Sequence, residues 1–262
     1  MTHKVFLTGH RGLIGSELVK HFKDKVIGFD RGDKWPTPEA VKDVDLIIHC
    51  ASNCVIREVI KNPDLAKENI DLTYKVMELA RQNNIKKVVL FSSGRVKHKE
   101  KNPYTVSKEF LELTGEGYRQ CYGIDYIIIR PETVWGMDEV NTRVIKTWIT
   151  NVCQDRLINI YGNNKKELPP IHVTDFVKNF LKIIKNFEVN KGRVFSIAGE
   201  PRRVIDLISD IEKFTGKHAT VNFLPEEKTQ PQKCLKTRSL PHKKFYDQLK
   251  QENKNIKLAS SR

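Results

Sequence analysis

The 262-residue sequence is poor in cysteine, and its five cysteines include no Cys-x-x-Cys pair. An odd number of cysteines without that spacing excludes a disulfide scaffold and a cysteine-rich zinc site. Fourteen glycines and eleven prolines are too few and too scattered for a fibrous or low-complexity chain. No long apolar run is present, so we expect no secretory signal and no membrane span, and we predict a cytoplasmic protein. His, Asp and Glu nowhere have metal-ligand spacing, and we expect no metal site.

Acidic residues are also scarce: 46 Lys and Arg stand against 32 Asp and Glu, a formal net charge of +14. Such a surplus of positive charge favours binding to nucleic acid, to an anionic membrane or to a small phosphorylated ligand. Nucleic-acid binding needs a recognisable module or aromatics among the basic residues, and the basic tail after residue 225 has only the pair Phe245-Tyr246. We therefore expect no nucleic acid and no membrane partner, and we leave the tail without a function.

Short β-rich runs alternate with helical patterns over the first two-thirds of the chain, as in parallel βαβ units. The runs are nearly all apolar, which is typical of strands covered on both faces. Strands are predicted over 4–8, 25–30, 45–52, 87–93 and 125–131, and helices over 16–23, 65–83 and 104–122. The link between the second and third strands, which holds Trp35, is predicted to be a loop with at most a short helix.

A glycine-rich loop directly follows the first predicted strand. Thr8-Gly-His-Arg-Gly12-Leu-Ile-Gly15 has the spacing T-G-x-x-G-x-x-G and opens a helix. Its glycines permit a tight turn and close approach of a pyrophosphate, to which the helix N-terminus offers N–H donors. Asp30 ends the second strand, where an acid binds the ribose 2′-hydroxyl of NAD, whereas Arg11 or Arg31 could hold the 2′-phosphate of NADP. The sequence predicts NAD or NADP, with NAD favoured by Asp30.

Tyr104 and Lys108 open a predicted helix at an i,i+4 spacing that puts both side chains on one face. A free phenol, with a pKa of about 10, is a poor proton shuttle at neutral pH, and a neighbouring ammonium lowers that pKa. The fourth strand ends in Ser92 and Ser93, whose hydroxyls would emerge at the sheet edge where ligands bind. These residues predict acid–base chemistry at a carbonyl.

Together these motifs resemble the extended short-chain dehydrogenase/reductases, a family of nucleotide-sugar epimerases, dehydratases and ketoreductases. The resemblance runs from about residue 4 to 199 and also rests on His49-Cys-Ala51, Asn69, Thr73 and the segments 130–136 and 171–175. It implies that Ser93, rather than Ser92, hydrogen-bonds the substrate oxygen and that Tyr104 transfers the proton. Lys108 would lower the pKa of Tyr104 and bind the nicotinamide ribose. His49 is interpreted as a packed residue beside the cofactor.

The fold and the ligand contacts follow from the same resemblance. It implies an α/β Rossmann-type doubly wound parallel sheet over 1–135, to which 171–199 returns, and a small C-terminal substrate-binding lobe over 136–170 and 200–262, frayed over its last ten residues. A homodimer is expected through the helices 65–83 and 104–122. The expected cofactor contacts are Thr8, Gly9, His10, Arg11, Gly12, Leu13, Ile14, Gly15, Asp30, Arg31, Cys50, Ala51, Ser52, Asn69, Tyr104, Lys108, Arg130 and Pro131. The expected substrate contacts are Ser93, Gly94, Arg95, Thr133, Arg143, Arg202 and Arg238.

Three departures from the family narrow the expected reaction on a nucleotide-diphosphate sugar. Gly94-Arg95 stand where sugar 4,6-dehydratases carry Asp-Glu, so dehydration is not expected. GDP-fucose synthases have a similar glycine loop but a Cys where Arg95 stands, which argues against C3/C5 epimerisation. Only ten residues separate Ser93 from Tyr104, so much of one pocket wall is missing. We therefore predict reduction of a 4-keto (deoxy)sugar nucleotide; a 4-epimerase with retained NAD and a non-catalytic dinucleotide sensor are the alternatives.

A further departure concerns the diphosphate of the substrate. Leu168 stands where the family often has an arginine for that group. The basic residues that could replace it are Arg143, Arg202, Arg203, Arg238, Lys165 and Lys166.

Overall fold

The computed structural model describes residues 4–140, 143–227, 229, 233–235 and 240–260. The chain folds into two compact units, Met1–Pro131 with Val177–Ile197, and Glu132–Phe176 with Ala198–Arg262. These divisions lie near the predicted boundaries at 135, 171 and 199. The assignment of substrate binding to the second unit remains a prediction.

The strands and helices follow in chain order. The strands are β1 (Val5–Thr8), β2 (Val26–Phe29), β3 (Leu46–His49), β4 (Lys87–Phe91), β5 (Asp125–Pro131), β6 (Thr133–Trp135), β7 (Ile158–Tyr161), β8 (Glu167–Leu168), β9 (Pro170–His172), β10 (Arg193–Ile197), β11 (Arg202–Arg203) and β12 (Val221–Leu224). The helices are α1 (Leu13–Phe22), α2 (Pro38–Val41), α3 (Ile56–Lys61), α4 (Asp64–Gln82), α5 (Pro103–Tyr122), α6 (Val144–Cys153), α7 (Val173–Lys185), α8 (Phe187–Asn190), α9 (Val204–Thr215), α10 (Phe245–Gln251) and α11 (Asn253–Ser260). Short 3-10 helices span Lys23–Lys25 and Gly94–Lys97.

The first unit is built on a six-stranded parallel sheet with the order β10-β5-β4-β3-β1-β2. The chain runs outward from β1 to β2, and then from the other side of β1 through β3, β4, β5 and β10. The predicted Rossmann-type doubly wound sheet is therefore confirmed. The strand order reverses between β1 and β3, and ligands of such sheets bind outside the carboxyl ends of the strands at that point.

Both faces of the four central strands, β1, β3, β4 and β5, are buried as predicted, whereas the edge strand β2, predicted to be covered on both faces, is partly exposed. Phe6, Ile47, Val88 and Leu90 are completely buried and form the core together with side chains from α4 and α5 such as Met77. Trp35, in the link between β2 and β3, packs edge-on against Phe29 of β2 and Phe6 of β1, with ring centroids 4.8 Å and 5.8 Å apart. This link thus adds one aromatic ring to the core on that face of the sheet.

Helix α5 begins where its sequence dictates. Asn102 caps it by accepting a hydrogen bond from the backbone N–H of Thr105, whose hydroxyl accepts in return from the Asn102 N–H, and Pro103 takes the first helical position. Gly123 ends the helix in the left-handed conformation, with φ +63°. These signals place Tyr104 in the first turn of α5.

The second unit has its own apolar core, formed by Trp135, Ile149, Leu207 and Leu249 among others. Its strands pair two by two: β6 with β9, β7 with β12 and β8 with β11. The expectation of a frayed C-terminus differs from the structure, because α11 covers the segment up to Ser260 and buries Ile256. No described helix is long and apolar enough to cross a membrane.

A buried polar contact attaches the C-terminal helices α10 and α11 to the second unit. The Glu252 carboxylate accepts hydrogen bonds from His172 Nε2 (2.9 Å) and from the backbone N–H of Met137 (3.0 Å), and its other oxygen accepts one from Asn255. Burial raises the pKa of Glu252, but these bonds, above all that from His172, outweigh it and lower the pKa to about 2. The carboxylate therefore stabilises the fold in its ionised form.

We expect Glu252→Gln to weaken the second unit in a pH-dependent way. The native pKa is depressed from an ordinary 4.5, so the stabilisation is complete above pH 4.5 and is lost as the pH falls toward 2. The variant should lose about 1–2 kcal/mol at pH 7, and the gap to the wild type should close between pH 4.5 and 2. Thermal unfolding at several pH values measures this. Asp247→Asn, which removes an exposed ion pair with Lys250, is the control and should change little; a gap that stays constant with pH would contradict the prediction.

Candidate active site

The glycine loop has the close backbone contacts that a dinucleotide requires. Gly9 lies at φ +77°, and its N–H donates to the Phe29 carbonyl at 2.8 Å. A Cβ on Gly15 would lie 2.0 Å from the Gly9 carbonyl oxygen, and one on Gly9 would lie 2.7 Å from the Ala51 nitrogen. Helix α1 begins after Gly12 with no side-chain cap and no acidic residue in its first turn. Its N-terminus thus fits the pyrophosphate of a dinucleotide.

Two of the predicted cofactor residues in this loop have buried side chains. Leu13 lies in the core, and Thr8 is fully buried with its hydroxyl 2.8 Å from His49 Nδ1 and accepting from the Ala51 N–H at 3.2 Å. Thr8 therefore positions the loop through its side chain and can offer a cofactor only backbone groups. Ile14 and His10 are partly exposed.

His49 is a structural residue, as the sequence suggested. Its Nε2 lies 3.2 Å from the Thr73 hydroxyl, which in turn donates to the Asn69 carbonyl at 2.8 Å. Complete burial, reinforced by the charge of Lys108, lowers the pKa of His49 to about 3, so the imidazole is neutral. The network ties the carboxyl ends of β1 and β3 to α4.

The loop after β3 is held by Asn69, which was expected to contact the cofactor. Asn69 Oδ1 accepts from the Asn53 N–H (2.7 Å), and its Nδ2 donates to the Asn53 carbonyl (3.2 Å) and the Ser107 hydroxyl (3.3 Å). Asn69 is 6% exposed and joins this loop to α5; its contact with the cofactor remains a prediction. Cys50, Ala51 and Ser52 are partly exposed beside the glycine loop, where the prediction requires them.

The end of β2 carries the predicted ribose contact. Asp30 Oδ2 accepts from the Arg11 N–H at 3.0 Å, and its Oδ1 accepts from the Arg31 N–H at 2.8 Å. Both arginine side chains have carboxylate partners that sequence reasoning missed, Asp33 for Arg11 (2.9 Å) and Glu68 for Arg31 (3.6 Å). No local motif marks these two carboxylates.

Ser93, Tyr104 and Lys108 lie at the carboxyl end of β4 and in the first turns of α5. They are 7%, 7% and 3% exposed. Lys108 Nζ donates to the Phe91 carbonyl at 2.9 Å and lies 6.0 Å from the centre of the Tyr104 ring. The Ser93 hydroxyl accepts from the Arg95 N–H at 3.2 Å and caps the 3-10 helix Gly94–Lys97. Gly94 is buried there and Arg95 is partly exposed.

Lys108 has an unusual acidity for a lysine. Burial lowers its pKa to about 8, against the opposing influence of Cys50, Cys54 and Glu112, which raise it. The ammonium is thus retained at neutral pH and is lost only as the pH rises above 8. A charged group so close to the Tyr104 ring can support proton transfer by the phenol.

Ser92, the neighbour of the predicted catalytic serine, is hydrogen-bonded to another side chain. Its hydroxyl donates to Glu112 Oε1 at 2.5 Å, and the same carboxylate holds Arg130 through Nε (2.7 Å) and Nη2 (2.5 Å). This contact favours Ser93 over Ser92 for the substrate. The Glu112 carboxylate is also an internal partner of the Arg130 guanidinium. Glu112 therefore orients Arg130 without a bound cofactor. Pro131 ends β5 directly after Arg130.

In the part of the second unit that the structure describes, three candidate substrate arginines are each paired with a carboxylate. Arg143 pairs with the buried Glu139, Arg202 with Asp210, and Arg203 with Asp206. Arg238 lies outside the described residues. Lys166 donates to the Tyr161 carbonyl at 2.8 Å, Lys165 is exposed, and Thr133, partly exposed, begins β6. Among the described residues, no group of three or more His, Cys, Asp or Glu side chains could hold a metal ion.

A match between the sequence and a family model shows the family of this chain. Residues 5–198 match the NAD dependent epimerase/dehydratase family. The chain is a member of that family, which confirms the predicted resemblance and the predicted cofactor class, NAD or NADP.

Relatives and solved structures agree with this assignment. Over 273 residues the chain is 26% identical to the Bacillus subtilis protein described as an uncharacterized UDP-glucose epimerase, YtcB, covering 84% of each chain. The UDP-glucuronic acid 4-epimerase of Bacillus cereus, solved with UDP-glucuronic acid and NAD, superposes with a TM-score of 0.87 at 21% identity, covering 97% of this chain and 99% of that one. The UDP-N-acetylglucosamine 4-epimerase of Methanobrevibacter ruminantium M1 gives a TM-score of 0.81 at 23% identity, covering 96% and 97%.

We expect Gly15→Ala to abolish measurable NAD binding, because its methyl group would displace the Gly9 carbonyl, which belongs to rigid backbone. Isothermal titration with NAD measures the loss. Gly117→Ala is the matched control, since a Cβ there meets nothing within 4 Å and a helical alanine is favoured over glycine. The control should bind NAD normally; equal NAD affinity in both variants would show that the loop contact is not needed.

Proposed function

We propose that the protein is an NAD-dependent nucleotide-sugar 4-epimerase. The observation that carries the proposal is the buried set Ser93, Tyr104 and Lys108 beside a glycine loop of dinucleotide geometry. The relatives named above as UDP-sugar 4-epimerases support C4 of the sugar as the reacting carbon and UDP-sugars as the first substrates to test.

This proposal replaces 4-keto reduction as the preferred reaction. The preference for a reductase rested on the shortness of the segment between Ser93 and Tyr104. In the structure that segment is a compact turn, in which Lys101 Nζ donates to the Val96 carbonyl at 2.9 Å and also pairs with Glu109 on α5. A short segment held in this way does not imply an open pocket, and the named relatives then favour the epimerase.

The proposed roles of the three residues come from the family resemblance and are supported by their burial together. When bound, NAD would supply the hydride chemistry at the sugar C4. Tyr104 takes the proton of the C4 hydroxyl and later returns it, while Ser93 donates a hydrogen bond to that oxygen. Lys108, held by the Phe91 carbonyl, would stabilise the phenolate with its positive charge and would bind the nicotinamide ribose. Burial of all three excludes water and strengthens these interactions.

We also propose that the protein is a homodimer. Helices α4 and α5 pack against each other and expose apolar side chains, of which Tyr74 is 54%, Val106 50% and Leu113 73% exposed. Two copies of this helix pair would cover these side chains in a four-helix arrangement.

We expect Tyr104→Phe to lower turnover by about 10²–10⁴-fold, because the proton shuttle is lost, while NAD affinity stays within about twofold. Interconversion of C4-epimeric UDP-sugars, followed by NMR, measures turnover, and titration measures binding. Tyr122→Phe, at an exposed phenol of the same helix (48% exposed), should match the wild type. Undiminished turnover in Tyr104→Phe would contradict the proposed role of Tyr104 and the proposed activity.

The bound dinucleotide content and the consumption of NAD(P)H distinguish the alternatives. An epimerase carries bound dinucleotide after purification and needs no added coenzyme, whereas a reductase consumes one NAD(P)H for each 4-ketosugar. Stoichiometric NAD(P)H consumption without epimerisation would support the reductase, and dinucleotide binding without either reaction would support the sensor.

We expect turnover to fall as the pH rises above about 8, because Lys108 then loses its proton. Initial rates between pH 6 and 10 measure the profile. Lys67→Met, which removes an ammonium that is 70% exposed on α4, should keep the wild-type profile. A rate that stays flat to pH 10 would show that the charge of Lys108 is not needed.

A further inference from the structure

The residues after β2 form a tight turn that fixes one carboxylate. The Asp33 N–H donates to the Asp30 carbonyl at 3.0 Å, and Gly32 between them has φ +90°, as the third position of a type II turn requires. The Asp30 N–H donates in return to Asp33 Oδ2 at 2.8 Å. The turn therefore holds the Asp33 side chain in place before any ligand binds.

Arg11 reaches from the glycine loop onto this turn. Its Nη1 donates to Asp33 Oδ1 at 2.9 Å, and its Nη2 donates to the Arg31 carbonyl at 2.7 Å. Its own backbone N–H is bound to Asp30. The Arg11 side chain is thus anchored at two points on the turn, although it is 52% exposed.

Arg31, the second candidate for a 2′-phosphate, is held in a similar way. Its Nη2 donates to Asn53 Oδ1 at 2.7 Å and lies 3.6 Å from Glu68. Asn53 Nδ2 donates to the same Glu68 carboxylate at 2.9 Å. Arg31 therefore points toward the loop after β3 and α4.

The charges of these groups favour NAD. Asp30, Asp33 and Glu68 outnumber Arg11 and Arg31, so the group carries one net negative charge in a protein of net charge +14. A ribose 2′-hydroxyl can donate to Asp30 without an electrostatic penalty. A 2′-phosphate, with a charge of about −1.5 to −2 at pH 7, would face the Asp30 carboxylate and two arginines that already have anionic partners.

We propose that Asp33 is a specificity-determining positioning residue, which selects NAD over NADP by holding the Arg11 guanidinium on the turn. It acts through Arg11 and does not itself touch the cofactor. The inference rests on the dinucleotide site of the proposed function and is independent of the reaction on the sugar.

Asp33→Asn tests this inference. Asparagine retains an oxygen that can accept from the Asp30 N–H but loses the charge that holds Arg11. Titration of the full-length protein with NAD⁺ and with NADP⁺ gives both dissociation constants. We expect the ratio of the NADP⁺ constant to the NAD⁺ constant to fall about tenfold, with NAD⁺ affinity within about twofold. Asp33→Ser repeats the test if the asparagine variant melts at a lower temperature than the wild type.

Two further variants separate the proposed contact from a general charge effect. Asp71→Asn removes one carboxylate from an exposed pair with Lys67 on α4 and should leave the ratio unchanged. In an Arg11→Met background, Asp33→Asn should no longer shift the ratio. An unchanged ratio in Asp33→Asn, an equal shift in Asp71→Asn, or a shift that persists without Arg11 would each overturn the inference. Any of these results in a protein that still epimerises its sugar leaves the proposed function intact, whereas a wild type that binds neither dinucleotide removes both.

Discussion

The close approach of three backbone segments at the strand-order reversal is the constraint on which the rest of the first unit depends. Gly9 lies against Ala51, and Gly15 lies against Gly9, at distances that admit no side chain. These contacts bring the ends of β1 and β3 together with the start of α1. The buried Thr8–His49 hydrogen bond (2.8 Å) and the His49–Thr73 contact then join α4 to the same point. The apolar core packs α4 and α5 against the sheet, while these polar groups fix the backbone at the point where the sequence predicts the dinucleotide.

Hydrogen bonds connect the proposed catalytic residues on α5 to these backbone segments. Asn69 links the loop after β3 to Ser107, in the same turn of α5 as Lys108, and Lys108 in turn bonds the carbonyl of Phe91 at the end of β4. Glu112 binds Ser92 and Arg130 one turn further along α5. Helix α5 is therefore attached by side-chain hydrogen bonds to the carboxyl ends of β3, β4 and β5. This arrangement fixes the position of Tyr104, as the proposed proton transfer requires.

Much of this was predictable because the relevant signals are local. The glycine spacing, the Tyr104–Lys108 spacing and the Asn102–Pro103 helix start each lie within a few residues of chain, and the apolar runs predicted the strands. The internal hydrogen bonds of Thr8, Asn69 and Arg130 were not predicted, because their partners His49, Asn53 and Glu112 lie 41, 16 and 18 residues away. The helix α11 was missed for the same reason: Glu252 is bound by His172, 80 residues earlier.

The sequence by itself determined the fold class and the cofactor class and predicted the three residues of the proposed catalytic set, since each follows from a periodicity or a spacing that the chain carries locally. Only the tertiary structure decided the electrostatics. The net charge of +14 suggested arginines available for phosphate groups, yet Arg11, Arg31, Arg143 and Arg202 each lie against a carboxylate. Net charge is a sum over the whole chain, whereas the potential at a site is set by the few charges within several ångströms of it. The tertiary fold determines which charges lie within that distance.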